Sequence, residues 1–199
     1  MVEIRKTAEF AGWLDGLRDL QARARVQARI ERLAAGNPGD VEPVGEDVSE
    51  LRINYGPGYR VYFKQRGREV IILLAGGAKA RKPKTSRRLT PRSQSLGVTA
   101  MAKTATTRYD VAEHLRTPVE MAAYLEACLE EVDEDAAFIA KALGDIARAK
   151  GMAQVARDAG LSRESLYKAL SGERSPGFDT ILKVIGALRL KLHAEASHS

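Results

Sequence analysis

Two hydrophobic periods alternate along this chain, and each predicts a different kind of element. Over residues 7–34 apolar positions recur every three to four residues, first Phe10, Trp13, Leu14 and Leu17, then Val26, Ile30 and Leu33. That spacing predicts two amphipathic helices, stopped at Asn37-Pro38-Gly39. The face opposite the second stripe carries Arg23, Arg25, Arg29 and Arg32, the pattern of a solvated helix face. From Glu50 the period drops to two. Leu51 and Ile53 alternate with Glu50 and Arg52, and the alternation resumes from Tyr59 to Lys64 after Asn54-Tyr55-Gly56-Pro57-Gly58. This is the signature of a hairpin with a five-residue turn. Gln65-Arg66-Gly67-Arg68 turns the chain into Val70-Ile71-Ile72-Leu73-Leu74, apolar on both faces as a central strand is. Past residue 100 the helical period returns. Residues 101–150 predict helix throughout, with Val111, Leu115, Met121, Tyr124, Leu125, Cys128 and Leu129 on its apolar face. Thr117-Pro118-Val119-Glu120 supplies a cap, a first-turn proline and the acid of a capping box. The expected class is α+β: two helices and an antiparallel sheet, followed by an all-α domain.

The sharpest local pattern lies at residues 151–170. Gly160 is preceded four places earlier by the small Ala156 and surrounded by Val155, Ala159, Leu161, Leu166 and Ala169. A small residue lets two helices cross closely, and a glycine permits the tight turn between them, so this reads as a helix-turn-helix. Ser162 is placed to cap the second helix. Arg163, Glu164, Ser165 and Lys168 then fall on its outer face, where a recognition helix meets base edges. Gln154, at the start of the first helix, is placed to meet a phosphate.

Charge divides the chain in the same place as the period does. Residues 1–100 carry 19 Lys+Arg against 11 Asp+Glu, a net of +8, and residues 101–199 carry 13 against 15, a net of −2. A basic half suggests a polyanionic partner and an acidic half a docking surface for it. Glu126, Glu130, Glu131, Asp133, Glu134 and Asp135 gather the acidic charge, as a docking patch or as solvated helix ends. The one cysteine excludes an internal disulfide framework and fits a reducing cytoplasm. Nothing approaches the roughly 18 apolar residues of a membrane span, and the N-terminal residues hold no signal-peptide core.

In the first half the polar side of the hairpin gathers Arg52, Arg60, Lys64 and Tyr62. Guanidinium groups hold phosphates bidentately, and a tyrosine stacks on a base or passes a proton. This half has no histidine, which excludes a His-based nuclease and a paired-His metal site. Asp40, Glu42, Glu46 and Asp47 fall in a loop without metal-ligand spacing, so no metal or other cofactor is expected. Any RNA cleavage here rests on positioning phosphates and stabilising charge.

The block from Ser49 through Asn54-Tyr-Gly-Pro-Gly-Tyr-Arg-Val-Tyr-Phe63, with Val70-Ile-Ile-Leu-Leu-Ala-Gly-Gly77, resembles the RelE/HigB toxin superfamily, nearest its phage Gp49-like addiction-module killers. The resemblance covers residues 1–79 and implies a ribosome-dependent mRNA endoribonuclease. It carries catalytic roles onto Arg60 in the Gly-Tyr-Arg strand, Arg52 on the strand before it, and Lys79 after the Gly-Gly; Tyr62 joins them from the sheet face. The chain departs from the family after Gly77. Seven of the residues from Lys79 to Arg92 are basic, two are proline and none is acidic, so the family's closing helix is not expected. Residues 80–106 are either a basic linker or a junction, where a frameshift near Lys79 ran the toxin into a neighbouring antitoxin frame beginning at Met101.

Residues 107–196 resemble HigA-type antitoxins of the Xre/Cro-like class. Tyr109-Asp-Val-Ala-Glu-His-Leu115, the helix from Leu161 to Leu170 and Ser171-Gly-Glu-Arg174 carry the likeness. It implies a homodimer that binds the toxin domain and represses its own operon by holding operator DNA. The combined expectation is a toxin–antitoxin module in one chain, its mRNA and ribosome partners kept from an inhibited or inactive toxin. The competing readings are a transcriptional repressor carrying an inactive toxin remnant, and an active RNase with a regulatory tail.

Overall fold

The computed structural model of the chain describes residues 2–78, 105–131, 135–173 and 175–193. Its backbone forms two compact units, Met1–Asp110 and Val111–Ser199. Together they make a mixed α+β protein.

Among the described residues, the first unit is a six-stranded sheet with two helices. Its elements run β1 (Glu3–Thr7), α1 (Ala8–Gly16), α2 (Leu20–Ala34), β2 (Val41–Gly45), β3 (Val48–Ile53), β4 (Tyr59–Arg66), β5 (Val70–Ala78) and β6 (Thr106–Arg108). The strand order is β2-β3-β4-β5-β1-β6. β1 runs parallel to β5, and every other neighbour is antiparallel. The period-two alternation sets the faces. Leu51, Ile53, Tyr59, Val61 and Phe63 are buried, and α1 packs on β5 while α2 packs on β3 and β4. Phe10, Leu14, Val26 and Ile30 complete this core with Ile71 and Leu73.

Two local devices hold the layers together. The Thr7 hydroxyl accepts from the Phe10 N–H at 3.1 Å, capping α1, and donates to the Leu74 carbonyl at 2.6 Å, tying β1 to β5 inside the core. Gly76 lies under the Trp13 indole, which would overlap any Cβ placed there. A glycine at that point of β5 is therefore required by the close approach of α1.

Sequence expectation and structure part on α2. Its arginine face is not solvated: Arg29 is 5% exposed and donates to the carbonyls of Pro38 (3.1 Å) and Arg52 (3.4 Å). The Arg25 guanidinium stacks 4.6 Å from the Tyr55 ring centre. Helical spacing located these side chains correctly, but the 38–40 loop and the hairpin turn fold back onto them.

Among its described residues the second unit holds a 3-10 turn (Val111–His114) and five helices: α3 (Pro118–Glu130), α4 (Ala136–Lys150), α5 (Met152–Asp158), α6 (Arg163–Ala169) and α7 (Phe178–Leu188). The expectation of helix throughout 101–150 is thus corrected at residues 106–117, where a strand and a 3-10 turn stand before α3. Thr117 caps α3 in a reciprocal capping box with Glu120. Asp135, expected in an acidic patch, instead caps α4 by accepting from the N–H groups of Ala137 and Phe138. Asp133 and Glu134 lie outside the described residues.

The core is built around α4. Tyr124 and Asp145 are both buried, and the phenol donates to the carboxylate at 3.2 Å. Lys141 (3.3 Å) and Arg148 (2.7 Å) pair with the same carboxylate, so its buried charge is answered on its own helix. A Cβ on Gly144 would lie 2.7 Å from the Leu170 carbonyl oxygen, so glycine allows the end of α6 to rest directly on α4.

Candidate functional site

Three of the four residues expected to do chemistry meet on one face of the first unit's sheet. In the β3–β4 register Arg52 stands opposite Arg60, and Glu50 opposite Tyr62. Glu50 is the centre of the group. Its Oε1 lies 3.0 Å from the Nε of Arg52 and 3.0 Å from the Nε of Arg60, and its carboxylate accepts from the Tyr62 hydroxyl. The side chains of Arg60 and Glu50 are nearly withdrawn from solvent, at 11% and 14% exposure, while Arg52 keeps 34%. Arg52 is further clasped by Glu42, from the neighbouring strand β2, and faces Asp40 at 3.8 Å. Lys64 pairs with Asp47 at 3.0 Å.

Three of the four acids expected in a loop, Asp40, Glu42 and Asp47, therefore join Glu50 in neutralising the basic surface. Three cations (Arg52, Arg60, Lys64) are met by four carboxylates (Asp40, Glu42, Asp47, Glu50). Glu42 reaches the cluster because residues 41–45 form an edge strand and not a loop. Beside the polar residues on this face Val48, Ile72 and Leu74 form a small apolar cluster, against which the Tyr62 ring packs. That burial, followed by the field of Glu50 and its hydrogen bond, raises the Tyr62 pKa above the ordinary tyrosine value; Arg60 opposes the rise. The Tyr62 hydroxyl thus keeps its proton and donates it in a hydrogen bond to the neighbouring carboxylate. A carboxylate, a phenol and a guanidinium on one rigid sheet can take a proton from a hydroxyl and stabilise developing negative charge. A phosphate reaches the arginines only by displacing carboxylates already there. Sequence reasoning missed Glu50, although it placed Glu50 and Arg52 on one face. Lys79 lies outside the described residues.

A second group of candidates stands on α5 and α6. Gly160 takes a left-handed φ of +66° between the two seven-residue helices. Ser162 caps α6 by accepting from the Ser165 N–H at 3.0 Å, and its hydroxyl donates to the Ser165 hydroxyl at 2.8 Å. Leu166 points into the core with no exposed surface, so its neighbours in the helix turn outward. Arg163, Glu164, Ser165 and Lys168 are all exposed. So is Tyr167, absent from the expected set, with the Arg163 guanidinium 5.5 Å from its ring centre. The tyrosine at i+4 from the arginine was the available signal. Gln154 donates to Asp158 at 2.6 Å and accepts from Arg157 at 2.5 Å, forming an exposed polar ridge along α5.

Comparison with known proteins gives this unit its lineage. Residues 105–196 match the family described as "Probable addiction module antidote protein". The chain belongs to this antidote family. It is also similar to two uncharacterized proteins of Haemophilus influenzae strain Rd. One is 52% identical over 89 residues, covering 45% of this chain and 90% of the relative. The other is 41% identical over 97 residues, covering 49% of this chain and 98% of the relative. No solved structure matches. An antidote sets the chain in a toxin–antitoxin module and implies a toxin partner. No helix of the described residues is long and apolar enough to cross a membrane.

Proposed function

We propose that the chain is a toxin–antitoxin pair in one polypeptide. Residues 1–79 form a RelE/HigB-like toxin domain and residues 107–196 a HigA-like helix-turn-helix antidote, joined through residues 80–106. The antidote binds operator DNA as a dimer, represses its own operon and restrains an mRNA-cleaving partner.

One observation carries the reading above the others. An antidote-family match overlies a helix pair whose second helix turns Arg163, Ser165, Tyr167 and Lys168 to solvent while Leu166 anchors it. Side chains on a short, rigidly seated helix are what a major groove accepts. A gel shift with the DNA upstream of the gene tests it. The expected result is a complex on two half-sites about 34–36 Å apart, or multiples of that, as a dimer requires. Binding by a monomer, or no preference for that DNA over random sequence, would overturn the repressor reading.

On the first unit the proposal assigns Glu50 the proton-accepting role, Arg60 charge stabilisation, Tyr62 proton donation and Arg52 phosphate holding, with Lys79 assigned by resemblance alone. A second reading has a specific observation behind it. The carboxylates of Asp40, Glu42 and Glu50 occupy the arginines, as they would in a repressor carrying an inactive toxin remnant. Cleavage of mRNA on translating ribosomes, by the first unit freed from the antidote through a protease site placed in residues 80–106 and by the same piece carrying Glu50→Gln, separates the two. The toxin reading expects cleavage by the freed piece that the variant loses, and little cleavage by the intact chain.

A further inference from the structure

The boundary of the antidote family and the boundary of the folded units do not coincide. The family match begins at residue 105, whereas the first compact unit runs on to Asp110. Six residues therefore belong by sequence to the antidote and by packing to the sheet in front of it. They form the outermost strand of that sheet. β6 lies antiparallel to β1, with Arg5 opposite Arg108, Lys6 opposite Thr107 and Thr7 opposite Thr106. The Tyr109 N–H continues the ladder, donating to the Ile4 carbonyl at 2.9 Å.

Two side-chain contacts clamp the ends of this short strand. At one end Arg5 donates from Nε to the Thr106 hydroxyl at 2.9 Å and from Nη2 to the Thr106 carbonyl at 2.8 Å. At the other, Tyr109 is 4% exposed, meets Phe10 of α1 edge-to-face at 6.4 Å, and lies 5.6 Å beneath the Lys6 ammonium. The residues between carry no apolar side chain, so the strand is held by its backbone and by these two anchors. That is the pattern of strand addition to an exposed sheet edge. Without β6, β1 would be such an edge, with unpaired N–H and C=O groups along one side.

We propose that residues 105–110 are the docking strand of the antidote: it grips a toxin-type partner by adding this strand to the β1 edge of the partner's sheet, with Tyr109 as the anchor. The identity of the partner rests on the reading of residues 1–79 as a toxin domain; the strand addition does not. Strands β5 and β1 separate β6 from β4, which carries Arg60. At about 4.8 Å per strand the docking strand runs roughly 14 Å from the cluster. Gripping and covering are thus separate tasks. The strand performs the first of them: it fixes the partner in place.

The test uses the full chain with a protease site inserted between Gln94 and Ser95. After cutting, wild type and Tyr109→Phe, which keeps the ring, are expected to hold together on size exclusion at micromolar concentration. Thr107→Pro removes a ladder N–H, and Tyr109→Ala removes the anchor; each is expected to weaken the association at least tenfold. In the uncut chain hydrogen exchange reads the same strand within a folded molecule. The register turns the Ile4 and Lys6 amides toward β6 and those of Glu3 and Arg5 toward β5, as the Glu3 N–H donating to the Glu69 carbonyl shows. In Thr107→Pro, or in Tyr109→Ala should the proline variant not fold, Ile4 and Lys6 are expected to exchange at least tenfold faster while Arg5 stays protected. Unchanged exchange at Ile4 and Lys6, or undiminished association of both cut variants, would overturn the proposal. If the cut variants separate as expected but the freed first piece neither arrests growth nor cleaves mRNA, the docking strand stands and the toxin reading falls.

Discussion

The two candidate surfaces hold similar residues in opposite conditions. On the sheet of the first unit, Arg52, Arg60 and Lys64 are each met by a carboxylate at or near 3 Å, and the central pair is largely out of solvent. On α6 of the second unit Arg163 and Lys168 stand in solvent, with the Arg163 guanidinium beside an exposed ring. By residue type the sheet face with Arg52, Arg60 and Lys64 is the better polyanion binder; by pairing it is the worse one. Net charge measures what a surface could attract, and local pairing decides which cations are available to do so. The difference also predicts what each residue does when removed. A paired, nearly buried charge contributes to stability, whereas an exposed one contributes to binding.

The strongest way to break this contrast is to remove the acid at the centre of the sheet cluster. Glu50→Gln leaves Arg60, with only 11% of its side chain exposed, facing a neutral group. The expected cost is about 2 kcal/mol, below the figure for a fully buried pair because both partners keep some solvent. The single tryptophan makes this measurable: Trp13 packs against Gly76 in the first unit, so its fluorescence in a urea titration reports that unit alone. The same variant is expected to bind a short single-stranded RNA more tightly than wild type, because Arg52 and Arg60 lose their main competitor. An unchanged urea midpoint would mean that the acid and the arginines do not depend on each other.

On α6 the expected pattern is reversed. Arg163→Ala and Lys168→Ala should shift stability by no more than about 0.5 kcal/mol, as surface changes do. Each should weaken operator binding by about 1–3 kcal/mol if it touches a base edge. Tyr167→Ala should have a smaller effect, about 0.5–1 kcal/mol, because it only orients the guanidinium across its ring. Melting curves and gel shifts on the same preparations compare the two quantities. A variant that lowers the melting temperature and the affinity together would show that the residue holds the helix and does not read DNA.

What the sequence revealed and what it hid follow from how each element is specified. The β3–β4 hairpin, the central strand β5 and the capped start of α3 were legible because each is encoded locally, by alternation, by an apolar run or by a capping box. Strands β1, β2 and β6 were not. Their sequences, Glu-Ile-Arg-Lys-Thr, Val-Glu-Pro-Val-Gly and Thr-Thr-Arg, have no strong alternation, and pairing with a neighbour makes them strands. That failure carried into the site. With β2 read as loop, Glu42 had no reason to lie beside Arg52, and a neutralised cluster looked like an open basic face. The α5–α6 pair was easier because a glycine turn, a serine cap and one buried leucine define it within twenty residues.

The finest test of the sheet cluster is its response to alkali. Burial, then the carboxylate of Glu50, holds the Tyr62 phenol above the ordinary tyrosine value of about 10. The fold therefore binds this proton more tightly than the unfolded chain does. The stabilisation it brings is complete below about pH 10 and is lost as pH rises through the folded value. The Tyr59 phenol is shifted the same way, mainly by burial, so wild type alone gives a composite curve. Absorbance titration of wild type against Tyr62→Phe isolates the one phenol. The difference curve is expected to have its midpoint above the ordinary value, and to move down toward it in Glu50→Gln as the neighbouring negative charge is removed. A midpoint at the ordinary value in the wild type would mean that Tyr62 faces water and not Glu50, and the proton-donor role assigned to it would go with that contact.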